Sequence, residues 1–167
     1  MNKSTISILL AVAALTIVVY IMATKSQKEL TDNLPPKDDT SKTEAEALTK
    51  AGEYAAKINA SVAGVLGTGS MAPYIPPAAE GLDPYFTRVA YVVYDPRSKY
   101  KDVKVGNLCQ YFYRGDHTKR FLHQAAAKDD AGWLMTGLHN KSYEKDSRMT
   151  EDNFLGVVIK TYTWDGK

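Results

Sequence analysis

Ile6 to Ala23 is a run of 18 residues without a charged side chain, its apolar character broken only by Ser7 and Thr16. As a helix, a run of that length reaches across the hydrocarbon core of a bilayer, where every backbone polar group must be satisfied internally. It predicts a membrane anchor and divides the chain into a tail (1–5), the anchor (6–23), a polar connector with one helix (24–60) and a single compact domain (61–167). The competing reading is a cleaved secretory signal with Asn2, Lys3 and Ser4 as its leading region. That reading meets a poor junction at Ile21-Met22-Ala23, where the position three before the cut is not small. Lys3 and the α-amino group on one side balance Lys25 and Lys28 on the other, so loop charge sets no orientation.

The connector is expected to be surface chain carrying little core as far as Thr40, because it holds Pro35-Pro36 and Lys37-Asp38-Asp39. Ser41-Lys42-Thr43-Glu44 reads as a capping box, and it predicts a helix over 42–58 with Leu48, Ala51, Ala55 and Ile58 on its apolar face. Beyond Ala60 the texture changes to short runs rich in Val, Ile, Tyr and Phe between Pro, Gly and Asp clusters, which predicts strands. They are expected at 88–94, 108–114, 120–127, 133–138 and 154–162, with a hairpin turn at 128–132. The fold class that follows is mainly β, a small coiled sheet or partly open barrel.

The formal net charge of +2 is small and its cations are interspersed with acids, so no basic stripe points to nucleic acid. Cys109 is the single cysteine, which excludes an internal disulfide and a multi-cysteine zinc site. It is expected to be a packed thiol in a strand. Three histidines with Asp116 lack the short spacings of a metal site, so neither metal nor cofactor is expected.

Gly67-Thr68-Gly69-Ser70-Met71-Ala72-Pro73 is a small, hydroxyl-bearing turn suited to holding a serine out at a strand end. A serine becomes a nucleophile only beside a base and near donors for the oxyanion that forms. His123, inside the apolar run Phe121-Leu122-His123-Gln124-Ala125, is the candidate base; the plain alternative is a half-buried strand histidine. Lys119 is the alternative base, since burial can lower a lysine's pKa, although its polar neighbours place it in an exposed turn.

These residues resemble the type I signal peptidase and LexA-type family of serine peptidases over roughly 65–162. Gly69-Ser70-Met71-Ala72-Pro73 resembles the nucleophile box, and Val103-Lys104-Val105-Gly106-Asn107-Leu108 the Val-Gly-Asp segment that precedes a strand. Leu122-His123-Gln124 resembles the His-Arg box of the archaeal and endoplasmic-reticulum branch. Met135-Thr136-Gly137, Asp146-Ser147-Arg148 and Leu155-Gly156-Val157-Val158 together resemble the closing box. Asn107 stands where the family has an acid, Gln124 where it has an arginine, and Leu138-His139 interrupts the usual Gly-Asp-Asn.

The resemblance implies Ser70 as nucleophile, His123 as general base, Asp146 as support for the imidazole, and an oxyanion hole formed by the Ser70 N–H and the Thr68 hydroxyl. It further implies an extracytoplasmic domain, held at the bilayer by the N-terminal helix, that cleaves signal-peptide-bearing or membrane-proximal precursors after small residues. Two other readings fit the same boxes. One is an inactive membrane-tethered interaction module. The other is a self-cleaving regulator cut between Asn59-Ala60 and Ala63-Gly64, though no DNA-binding helix pair precedes that stretch.

Overall fold

The computed structural model describes residues 30–140 and 148–165. The expected anchor and Asp146 lie outside the described residues, within which no helix is long and apolar enough to cross a membrane.

Eight strands form one open sheet: β1 (Lys37–Ser41), β2 (Ser61–Leu66), β3 (Arg88–Asp95), β4 (Leu108–Tyr113), β5 (Asp116–Asp129), β6 (Gly132–Thr136), β7 (Arg148–Met149) and β8 (Phe154–Trp164). Their spatial order is β2-β3-β8-β4-β5-β6-β7, with β1 paired to β8. The mainly β expectation holds, and the sheet is not closed, since β2 and β7 end the order. β8 organises the sheet through its length. One edge pairs antiparallel with β3, while the other is shared between β4 at Phe154–Val157 and β1, which runs parallel at Thr161–Trp164.

The five expected strands are all present with shifted ends, and three strands were not foreseen. Lys37–Ser41 lies in the stretch expected as linker, yet it forms β1 and buries Ser41. Its pairing to β8 supplies a partner that local polarity does not disclose. The polar run from Asp116, expected as a turn, begins β5 instead. The β4–β5 reversal needs only Arg114 and Gly115, both at positive φ, as in the tight turns that suit strand twist. The expected turn at 128–132 likewise contracts, with Asp129 paired to Gly132.

Helix α1 (Glu44–Ile58) starts two residues later than expected. Thr43 rather than Ser41 is the N-cap; its Oγ1 accepts from the Glu46 N–H at 3.2 Å, and Glu46 in turn accepts from the Lys42 N–H at 2.9 Å. The box motif is therefore real but displaced, because Ser41 is committed to β1. The apolar face is Ala47, Ala51 and Ala55, fully or nearly buried, whereas Leu48 is exposed. Alanines let the helix axis approach Tyr91, Val93 and Tyr162 closely. A second cluster, which includes Met71, Ile75, Val92, Leu108 and Val158, lies beneath the Gly67–Pro73 turn. A third, around Cys109, Tyr111, Met135 and Met149, fills the β4–β6 side.

Candidate active site

The Gly67–Pro73 turn follows β2 directly and is pinned at its first residue. The Gly67 N–H donates to Thr87 O and its carbonyl accepts from the Ala78 N–H, both at 2.9 Å. Gly69 takes a φ of 79°, a left-handed value that a side chain would strain. Met71 and Ile75 then turn down into the core, leaving Ser70 half-buried at the crest.

A second loop clamps the serine from behind. The His139 N–H donates to Ser70 O at 3.0 Å, and a Cβ at Gly137 would collide with that same carbonyl oxygen. Gly137 is thus required by close approach.

β5 brings His123 to the serine. The residue is 6% exposed and sits opposite Cys109 in the β4–β5 ladder. Its Nε2 lies 3.2 Å from Ser70 Oγ, within reach for proton transfer. On the far side of the ring, Nδ1 lies 3.3 Å from the Tyr111 hydroxyl. Phe121 meets the imidazole edge-on, with centroids 5.8 Å apart and planes at 86°. Thr68 Oγ1 is 3.4 Å from Ser70 Oγ, so the hydroxyl expected to serve the oxyanion lies beside the nucleophile.

Other candidates fall elsewhere. Lys119 belongs to the exposed start of β5, where its ammonium pairs with Asp116 at 3.5 Å. Among the described residues, His123 is the only titratable side chain hydrogen-bonded to Ser70 Oγ. His117 packs on the Phe112 ring at 4.4 Å. The Cys109 thiol is buried, which pushes its pKa well above the usual thiol range and leaves it protonated, in line with the packed thiol expected. Among the described residues, no three His, Cys, Asp or Glu side chains converge as metal ligands.

Asn107 and Gln124, two of the positions where the chain departs from the pattern it resembles, have local partners. Asn107 Oδ1 accepts from the Lys104 N–H at 2.9 Å, closing the turn before β4 as a carboxylate could. Gln124 Nε2 donates to Gly106 O at 3.0 Å and to Leu30 O at 2.5 Å, joining the incoming chain to the sheet.

Ser70 and His123 open on a cleft of about 420 Å³. Its walls include Gly64, Val65 and Leu66 of β2 and Leu122 of β5, with Met71 and Ile75 below and Tyr85 at the side. Neither the β2 wall nor Tyr111 was foreseen. The Val-Ala-Gly-Val run is too short and glycine-broken to announce a strand, and the placement of Tyr111 depends on the β4–β5 register. No family model matches the chain, and no curated protein is similar to it in sequence.

Proposed function

We propose that the chain is a membrane-anchored serine endopeptidase of the signal peptidase type, cleaving precursors in extended conformation after a small residue. The observation that carries this reading is the 3.2 Å approach of His123 Nε2 to Ser70 Oγ at the edge of the cleft.

The chemistry follows from that pair. His123 Nε2 takes the Ser70 hydroxyl proton while Oγ bonds to the scissile carbonyl carbon, whose π electrons move onto oxygen. The Ser70 N–H and the Thr68 hydroxyl stabilise that oxyanion, each such donor contributing roughly 3 kcal/mol. Collapse breaks the C–N bond, and the leaving amine takes the proton from Nε2. Water then repeats the sequence on the acyl ester, returning Ser70. Asp146 is assigned, on the family resemblance, to stabilising the imidazolium through its charge, with no direct bond to Nδ1 required. Lys119 is not needed as base while it is paired with Asp116 at the exposed start of β5.

β2 is the last strand of the sheet on its side and forms a wall of the cleft, so an extended precursor laid along it gains backbone hydrogen bonds. An N-terminal anchor would hold enzyme and precursor on one bilayer and raise their effective concentration. Self-cleavage near Ala63-Gly64 is disfavoured because that stretch is paired to β3.

The test is cleavage of a membrane precursor with an Ala-x-Ala junction by the intact protein, beside Ser70→Ala and His123→Ala. Loss of product in both variants is the expected result. Absence of cleavage by the intact protein across several precursors and pH values overturns the reading in favour of a non-catalytic module.

A further inference from the structure

We propose that Tyr111 is a positioning residue whose hydroxyl sets the tautomer and orientation of His123; this rests on the peptidase reading for its consequence, though its geometry stands apart from it. A neutral imidazole carries one proton. If it sits on Nε2, the ring presents an N–H to Ser70 Oγ and cannot take the serine proton. The base is competent only with the proton on Nδ1 and the lone pair on Nε2. The Nδ1–H then needs an acceptor in a buried place, where an unmet donor is costly.

Tyr111 lies where that acceptor is required. Its side chain is fully buried, and its oxygen is 3.3 Å from Nδ1. With Nδ1–H donating to it, the ring is held between Tyr111 on one edge and Ser70 on the other. Phe121 restrains it further, edge-on to His123 and at 6.3 Å and 73° to the Tyr111 ring. When Nε2 becomes protonated during turnover, the same Nδ1–H bond is kept and strengthens as the ring gains charge. The reverse arrangement, with the tyrosine donating to Nδ1, places the proton on Nε2 and switches the base off.

The experiment is tautomer-resolved ¹⁵N NMR of the intact, histidine-labelled protein in detergent at a pH where the ring is neutral, in wild type and Tyr111→Phe. Kinetics on the Ala-x-Ala precursor are measured alongside. The expected wild-type spectrum has a protonated Nδ1 and a bare Nε2 for His123, assigned by the signals lost in His123→Gln. In Tyr111→Phe the two tautomers are expected to mix, with kcat reduced about tenfold, the effect of losing one hydrogen bond, and KM unchanged.

Unchanged His117 and His139 signals report an intact fold. Should the variant misfold, 3-fluorotyrosine placed at position 111 keeps the shape and alters the oxygen, and a shifted His123 Nδ1 signal is then the expected reading. A wild-type His123 protonated on Nε2, or a tautomer ratio indifferent to the change at 111, overturns the proposal whatever the enzyme does. A Tyr111-dependent tautomer in a protein that neither cleaves precursor nor reacts with a fluorophosphonate overturns the peptidase reading and leaves the role of Tyr111 standing.

Discussion

Ser70 and His123 are 53 positions apart, and their side chains meet because each is held by something other than the partner. The serine is fixed by Gly69, by buried Met71 and by the amide of His139, the histidine by the β4–β5 ladder and Phe121. Catalytic effects should therefore be large and local. His123→Ala is expected to lower the cleavage rate by about 10²–10⁴-fold, the usual contribution of a positioned base. Lys119→Ala should leave turnover nearly intact, because its ammonium is exposed and paired to Asp116 in a solvent-screened contact far from Ser70 Oγ's hydrogen-bonded base. Initial rates for the two variants check both statements, and complete loss in Lys119→Ala would move the dyad to Ser70 and Lys119. Because the base must accept a proton, turnover is expected to fall on acidification.

Two short segments carry the turn, and each has a residue on which its placement depends. The loop after β6 presses against Ser70 through Gly137, so Gly137→Ala must push the Ser70 carbonyl away and misplace Oγ. A displacement of about 1 Å commonly costs about 10²-fold in rate; the expected result is that loss in kcat, read against retained far-ultraviolet circular dichroism. On the other side, Tyr74 ties the turn to the sheet, since its hydroxyl donates to Pro35 O at 2.7 Å and lies 2.8 Å from Thr161 Oγ1. Tyr74→Phe is expected to destabilise the domain by about 1–3 kcal/mol, measured by urea unfolding. Burial raises the Tyr74 pKa to about 12, against 10.0 for the free group, while its bond to Thr161 pulls the other way. A raised phenol binds its proton more tightly when folded, so its contribution is whole below pH 10 and lost as pH rises from there to about 12. Wild type should show that alkaline loss of stability, and Tyr74→Phe should show less of it.

As an assembly, the domain places its cleft beside β2, the end strand of an open sheet, and receives its N-terminal chain through Leu30 at Gln124. The cleft and the incoming chain thus belong to one body whose core is shared by β3, β4 and β8. If residues 6–23 anchor that body, the full chain should sediment with membranes after alkaline wash and a chain beginning at Leu30 should not. The shortened form should cut a soluble peptide at the full rate but a membrane-embedded precursor far more slowly, because the shared bilayer no longer concentrates the pair. Equal rates of the two forms on the embedded precursor would remove the anchor's kinetic role.

Much was legible in the chain alone, because it is written in local terms. Alternating Val, Tyr and Phe runs specified five strands, a box motif specified one helix to within two residues, and a glycine-flanked serine marked the turn. The readings that failed are those in which a distant partner outweighs local chemistry. Lys37–Ser41 is polar yet becomes β1 because β8 offers it an unpaired edge. Leu48 is apolar yet exposed, because three alanines let α1 pack closer by a different face. Tyr111 faces His123 through strand register, which no spacing along the chain encodes, since pairing one residue over would turn its ring to the opposite side of the sheet. Local propensity and periodicity act over a few residues and are readable in order. Register, close approach and the meeting of Ser70 with His123 are set by contacts between segments far apart in the chain, and they exist only once the sheet has formed.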